Sequence, residues 1–291
     1  MKIGFIGLGN MGLPMAINLA RAGHDVTGFD TADIDLPDMI TKATDAASCV
    51  AGCDVVITML PNGAILQKVA DTILPAMQKG AILCDCSTVD VRSARQVAER
   101  AEQAGLGAMD APVSGGITGA QAGTLTFMVG GSDAGFATLQ PLFESMGNKA
   151  VHCGDAGAGQ AVKICNNMIL GVTMIATCES IALGDKLGVD RQKLFDVLST
   201  SSGASWTVNS YFPAPDIGPK SPADNNYIPG FAAEMMVKDL GLAQAAAEDA
   251  DADTPMGAAA LALYKIFVED EDGLGRDFSA MLPRFSGRGR H

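Results

Sequence analysis

Six residues near the N-terminus, Gly7-Leu8-Gly9-Asn10-Met11-Gly12, restrict the fold more than any other stretch of this chain. They separate a strand-like apolar run, Lys2–Ile6, from an amphipathic stretch over 11–22. In a strand–turn–helix setting the first glycine permits the tight turn. The second lets phosphates approach the backbone, and the third allows close helix–strand packing. The helix N-terminus then turns free N–H groups toward those phosphates. Asp30 closes the next strand, 23 residues after Gly7. A carboxylate there accepts hydrogen bonds from ribose hydroxyls and repels a 2′-phosphate. Thr31 stands where a 2′-phosphate site favours arginine. The expected ligand is a dinucleotide, NAD in preference to NADP.

Strand-like runs recur at Asp25–Phe29, 54–59, 81–85 and Gly107–Asp110, with helical patterns such as 11–22 and 91–104 between them. That alternation predicts α/β architecture, a Rossmann-type doubly wound, mostly parallel sheet. A further unit follows, with a strand at 125–129, a helix from Asp133 to about Met146 and a strand at 150–153. Beyond Gly159 the pattern is all helical: 160–187, 190–199, Ala233–Asp249, Pro255–Glu269 and 277–282. A chain of 291 residues exceeds what one core usually holds. We therefore expect a dinucleotide-binding domain over 1–159 and an all-α domain over 160–291 for substrate and oligomerisation, joined by the long helix. The stretch 201–230 carries five prolines together with Trp206, Tyr211, Phe212 and Tyr227. So many aromatic groups favour an ordered lid or pocket wall over a disordered connector.

The net charge of −13 argues against nucleic acid as a partner. The most apolar run, 168–182, is shorter than a bilayer span and reads as a buried helix. The chain enters a strand at Lys2, so no signal or transit segment is expected, and a cytoplasmic location follows. Seven cysteines are scattered along the chain, and Cys84 and Cys86, alternating on one strand, read as small core residues. Only His152-Cys153 comes near a zinc-type spacing, and no metal is expected.

Loops at the carboxyl edge of such a sheet face the ligand crevice. They include Leu60-Pro61 after the third strand and Ser87-Thr88 after the fourth. Ser87 and Thr88 also suit the capping of a helix that begins near Asp90. After the fifth strand, Ser114-Gly115-Gly116 forms a turn whose exposed N–H groups suit an anion, a substrate carboxylate above all.

A hydride-transfer enzyme also needs a proton acceptor. Histidine is scarce (His24, His152 and His291), and none has a catalytic setting. Lys163 and Asn167 stand four residues apart at the head of the long helix, on one face. There the helix dipole and burial favour a neutral amine. Lys238, on a later helix, is a possible second positive group; a solvated lysine is the competing reading.

Together, the blocks 4–16, 58–61, 110–116, 123–131, 157–167, 201–206 and 238–244 resemble the β-hydroxyacid dehydrogenase family over essentially the whole chain. The resemblance implies Lys163 as the catalytic base and Asn167 as a substrate-placing partner. It also implies Ser114, Gly115 and Gly116 around the substrate carboxylate, with Trp206 beside the substrate. Leu60, Pro61, Thr88 and Lys238 would join Gly7, Gly9, Asn10, Met11, Gly12 and Asp30 in holding NAD. The stretch from Ser201 through Trp206 to Tyr227 is most similar to the branch that oxidises 3-hydroxyisobutyrate to methylmalonate semialdehyde in valine breakdown. Tartronate semialdehyde, glyoxylate, succinate semialdehyde and serine are the substrates of rival branches. A non-catalytic dinucleotide-binding module is disfavoured by the Lys163–Asn167 pair. A sugar-phosphate dehydrogenase would want an arginine cluster. The family further implies a homodimer or homotetramer.

Overall fold

The computed structural model describes residues 1–286, so His291 lies outside the described residues. The chain divides into two compact units, one of Met1–Lys163 and a second beginning at Ile164. The division falls inside a helix, four residues beyond the expected boundary.

The first unit is built on strands β1 (Lys2–Ile6), β2 (Asp25–Phe29), β3 (Ile40–Lys42), β4 (Val55–Thr58), β5 (Ile82–Asp85), β6 (Gly107–Asp110), β7 (Val113–Ser114), β8 (Leu125–Gly131) and β9 (Gly147–Gly154). Their order is β3-β2-β1-β4-β5-β6-β8-β7, and β9 pairs with β8. From β3 to β6 the pairing is parallel. The sheet reverses at β8, which runs antiparallel to β6 and β7 and parallel to β9. A reversal of strand sequence at β1 and β4 is the topological switch point where ligands bind in open α/β sheets.

Both faces of this sheet are covered, which explains why its strands read as continuous apolar runs. Val55, Ile57 and Cys84 point into one cluster, which includes Met15 and Leu19 of helix α1 (Gly12–Arg21). Val56 and Leu83 point into the other. That second layer draws Cys49 and Val50 from α2 (Ala46–Val50), Leu66 and Ala70 from α3 (Gly63–Ile73), and Val97 and Ala101 from α4 (Val91–Gln103). Helices α5 (Gly116–Ala122) and α6 (Asp133–Met146) complete the first cluster through Ala120, Leu139 and Phe143. Cys84 and Cys86 share that cluster as ordinary core side chains. His152 is occupied structurally: one ring nitrogen lies 2.7 Å from the Gly131 carbonyl, and the ring stacks on Phe136.

Helix α7 (Ala158–Lys186) opens in the first unit and continues into the second. The second unit adds α8 (Arg191–Leu198), α9 (Trp206–Asn209), α10 (Ala233–Asp249), α11 (Pro255–Glu269) and α12 (Met281–Ser286). At 29 residues α7 is longer than its most apolar run, and by length and composition it would reach across a bilayer. Its residues Met174, Ile175, Cys178 and Ile181 are instead packed in the second unit's core with Phe212, Met236, Leu240 and Tyr264. The stretch 201–230 is ordered, with α9 and a short 3₁₀ turn at Pro222–Asn225. It buries Phe212, Ala214, Ala223 and Tyr227 in the same core.

Candidate active site

The glycine loop occupies the switch point. Gly7 has φ +91°, and a Cβ there would lie 2.2 Å from the Met59 carbonyl oxygen at the end of β4. A Cβ on Gly12 would lie 1.8 Å from the Gly7 carbonyl oxygen, so the helix start presses against the turn. Gly9 differs, since a Cβ there would meet nothing within 4 Å. The loop is closed at both ends and open in the middle, a cradle that fits a pyrophosphate. Asn10 beside it is exposed and Met11 half-buried. Asp30 is held by two backbone donors, Leu8 N to Oδ2 at 2.7 Å and Ala32 N to Oδ1 at 2.9 Å. Its carboxylate is thereby fixed beside the glycine loop, as a ribose acceptor requires.

A buried carboxylate ties the next two edge loops together. Asp85 ends β5, and its Oδ1 accepts from Thr58 Oγ1 and Ser87 Oγ, both at 2.6 Å. Ser87 Oγ in turn accepts from Leu60 N at 2.7 Å. The expected capping role of Ser87 and Thr88 is therefore corrected: Asp90 caps α4 by accepting from Ser93 N, and Ser87 faces inward to Asp85. Thr88 is half-buried and Pro61 exposed on their respective loops. Burial pushes the Asp85 carboxyl up to about 6, against the hydrogen bonds from Ser87 and Thr58 that pull it down.

The strand partner of Asp85 is Asp110, at the end of β6. Its carboxylate accepts from Gly157 N at 2.7 Å, just before the Lys163 helix, and from Gln160 N at 2.8 Å in its first turn. Burial raises its pKa, and those backbone donors oppose the rise. The helix start is packed without side chains: a Cβ on Gly130 or Gly159 would meet backbone atoms at 2.8 and 2.3 Å respectively. Lys163 follows, 7% exposed. Because α7 begins at Ala158, this lysine stands in the second turn, where the dipole has largely faded.

Ser114 lies on β7, and Gly115 and Gly116 turn the chain into α5 with φ of +133° and +61°. Both values lie in the region that favours glycine, so the turn requires this sequence. In the second unit, Asn167 is 2% exposed. It accepts from Asn166 Nδ2 at 2.9 Å and donates to Asp239 Oδ2. Lys238 is partly buried, with Nζ 3.9 Å from Asp239 Oδ1. Asn167 and Lys238 thus share one buried carboxylate. Trp206 opens α9, half exposed, with its ring stacked on Tyr211 at 5.0 Å. Tyr211 OH donates to the fully buried Asp277, 2.9 Å away.

Asp85, Asp110 and Gln160 in the first unit and Asp239 in the second carry buried hydrogen bonds beside the candidate residues, and the sequence alone assigns them no role. A hydrophobic strand ending in aspartate was the available signal for the first two. Among the described residues no group of three His, Cys, Asp or Glu side chains lies close enough to hold a metal ion.

The chain as a whole has known relatives. The family profile for the NAD binding domain of 6-phosphogluconate dehydrogenase matches residues 2–154. The profile described as NAD-binding of NADP-dependent 3-hydroxyisobutyrate dehydrogenase matches residues 157–285. The chain is 46% identical to a 3-hydroxyisobutyrate dehydrogenase of Pseudomonas aeruginosa, over 98% of this chain and 99% of that one. It belongs to the 3-hydroxyisobutyrate dehydrogenase family. Members of this family are β-hydroxyacid dehydrogenases, and this one is an NAD-dependent oxidoreductase. The chain is also 42% identical to an NAD-dependent L-serine dehydrogenase of the same bacterium, over 98% of this chain and 97% of that one. A structure of the Mycobacterium tuberculosis 3-hydroxyisobutyrate dehydrogenase with L-serine superposes with a TM-score of 0.91 at 44% identity, covering 97% of each chain.

Proposed function

We propose that the protein oxidises 3-hydroxyisobutyrate to methylmalonate semialdehyde, a step of valine breakdown, with Lys163 as general acid/base. The observation that carries this reading is the buried Lys163 amine, on a helix whose first turn is anchored to the dinucleotide-binding sheet through Asp110. NAD, when bound, supplies the hydride acceptor. Lys163 takes the hydroxyl proton as the carbinol carbon gives up its hydride, and in reverse returns that proton to the aldehyde oxygen. Ser114 and the amides of Gly115 and Gly116 hold the substrate carboxylate. Asn167 orients the hydroxyl and Trp206 bounds the substrate. Leu60, Pro61, Thr88 and Lys238 contact the nicotinamide half of NAD, while Gly7 to Gly12 and Asp30 hold its adenosine side. Holding both reactants in register supplies much of the rate.

L-Serine is the second reading, supported by the serine dehydrogenase relative and by the serine-containing structure of the tuberculosis enzyme. One methyl in an apolar pocket is worth only roughly 1–3 kcal/mol, whereas a pocket built to hydrogen-bond the ammonium of serine separates the two substrates far more strongly. A panel of small 3-hydroxy acids, scored by kcat/KM with NAD and NADP, decides between them. Better turnover of serine, or equal use of NADP, would overturn the first reading. Lys163→Ala is expected to collapse kcat to a small residual rate and spare NAD affinity; near-normal kcat in that variant rejects the base. The exposed Ile169 and Leu183 of α7, with Leu187 just beyond its end, support a homodimer or homotetramer, which sedimentation would reveal; a monomer contradicts it.

A further inference from the structure

Gln160 is completely buried, yet it is neither charged nor nucleophilic, and the mechanism above gives it no task. Its side chain spans the loop after β5. Nε2 donates to the Ser87 carbonyl at 2.7 Å, and Oε1 accepts from Val89 N at 3.1 Å. Its backbone N–H donates to Asp110 Oδ2 at 2.8 Å. Three hydrogen bonds from one residue therefore fix the first turn of α7 against the ends of two adjacent strands. Through Ser87 the same loop is bonded to Asp85 and to Leu60 N. Lys163 lies three residues after Gln160, hence on a neighbouring part of the helix surface. Both side chains are buried.

We infer that Gln160 is a positioning residue for Lys163, holding its helix in register with the edge loop between Ser87 and Val89. The inference rests on Lys163 being the base. An apolar side chain of similar length leaves a buried carbonyl and a buried N–H without partners, and the helix start relaxes away from the loop. The amine then shifts relative to the reacting oxygen. A displacement of about 1 Å at a reacting group costs on the order of 100-fold in rate.

The test is a double-mutant cycle with Gln160→Met and Lys163→Ala, read as single-turnover NADH formation alongside NAD affinity by calorimetry. Lys163→Ala alone judges the base, and full turnover there would remove both readings. Given a Lys163→Ala variant whose rate falls by several orders of magnitude to a residual, still measurable value, Gln160→Met is expected to lower the parent rate about 30- to 100-fold with NAD affinity within about threefold. It should cause no further loss in the Lys163→Ala background, since residues acting as a unit are not additive. An unchanged rate for Gln160→Met, or an equal additional loss in the Lys163→Ala background, would overturn the inference while leaving the base standing. Should Gln160→Met fail to fold, Gln160→Asn keeps both polar groups one methylene short, and the same cycle applies with a smaller expected loss.

Discussion

Asn167 donates through its Nδ2 to Oδ2 of Asp239, 72 positions further along the chain. The contact joins α7 to α10 within the second unit, and Asp239 also lies 3.9 Å from the Lys238 ammonium. One buried carboxylate thereby sets the orientation of the amide proposed to meet substrate and of the cation proposed to meet cofactor.

Asp239→Ala strands the buried Asn167 amide. The expected loss of stability is about 1–3 kcal/mol, the cost of an unsatisfied buried polar group. Urea unfolding measures it, and Asp239→Asn should lose less. A variant of unchanged stability would show that the Asn167 contact contributes nothing.

The glycine loop gives a paired test. Gly9→Ala adds a methyl to open space, so stability should stay within about 0.5 kcal/mol of the parent. Its NAD affinity should nevertheless fall at least tenfold, about 1.4 kcal/mol. Gly12→Ala places a Cβ against the Gly7 carbonyl, so it should lose both stability and NAD binding. Calorimetric titration with thermal melts distinguishes the two. Equal NAD affinity in Gly9→Ala and the parent would remove the pyrophosphate from this loop.

Asp85 predicts a pH signature. Its carboxyl titrates near 6 in the folded chain, above its unfolded value, because burial disfavours the anion. The folded state then binds more protons than the unfolded one between about pH 4 and 6, and this group's contribution to stability falls as pH rises through that window. Asp110 acts with the same sign. Asp85→Asn keeps the Oδ1 acceptor and removes the charge. Its stability relative to the parent should improve from pH 4.5 to pH 7.5, by on the order of 1.4 kcal/mol per unit of displacement. Urea titrations at the two pH values measure this difference; a constant one would contradict it.

Trp206 is the only tryptophan, half exposed and stacked on Tyr211. If it bounds the substrate, its fluorescence should shift to shorter wavelength on adding 3-hydroxyisobutyrate to the NAD complex, and little on adding NAD alone. No response to substrate would move Trp206 out of the site.

The architecture was readable from the sequence because strands covered on both faces are largely apolar, as Val55, Val56 and Ile57 are. The glycine loop and Asp30 were readable because their demands are on the backbone, which leaves few residue choices. Other features depend on pairings distant in sequence. The hairpin of β7 with β8 is two residues long on one side, too short for a periodic signal. The strand Ile40–Lys42 is likewise three residues long, with a single buried position. Asp239 follows a lysine on a helix and reads as half of a solvated pair until Asn167 is brought to it. Gln160 carries no charge, and nothing local marks a glutamine that will meet Ser87, 73 positions earlier.

Gly130 and Gly159 leave no space for even a methyl group where α7 departs from the sheet. The junction is packed backbone against backbone. Relatives that turn over different hydroxy acids are therefore expected to differ elsewhere and to keep this seat of the lysine helix unchanged. Directed evolution toward new substrates should leave these two glycines untouched.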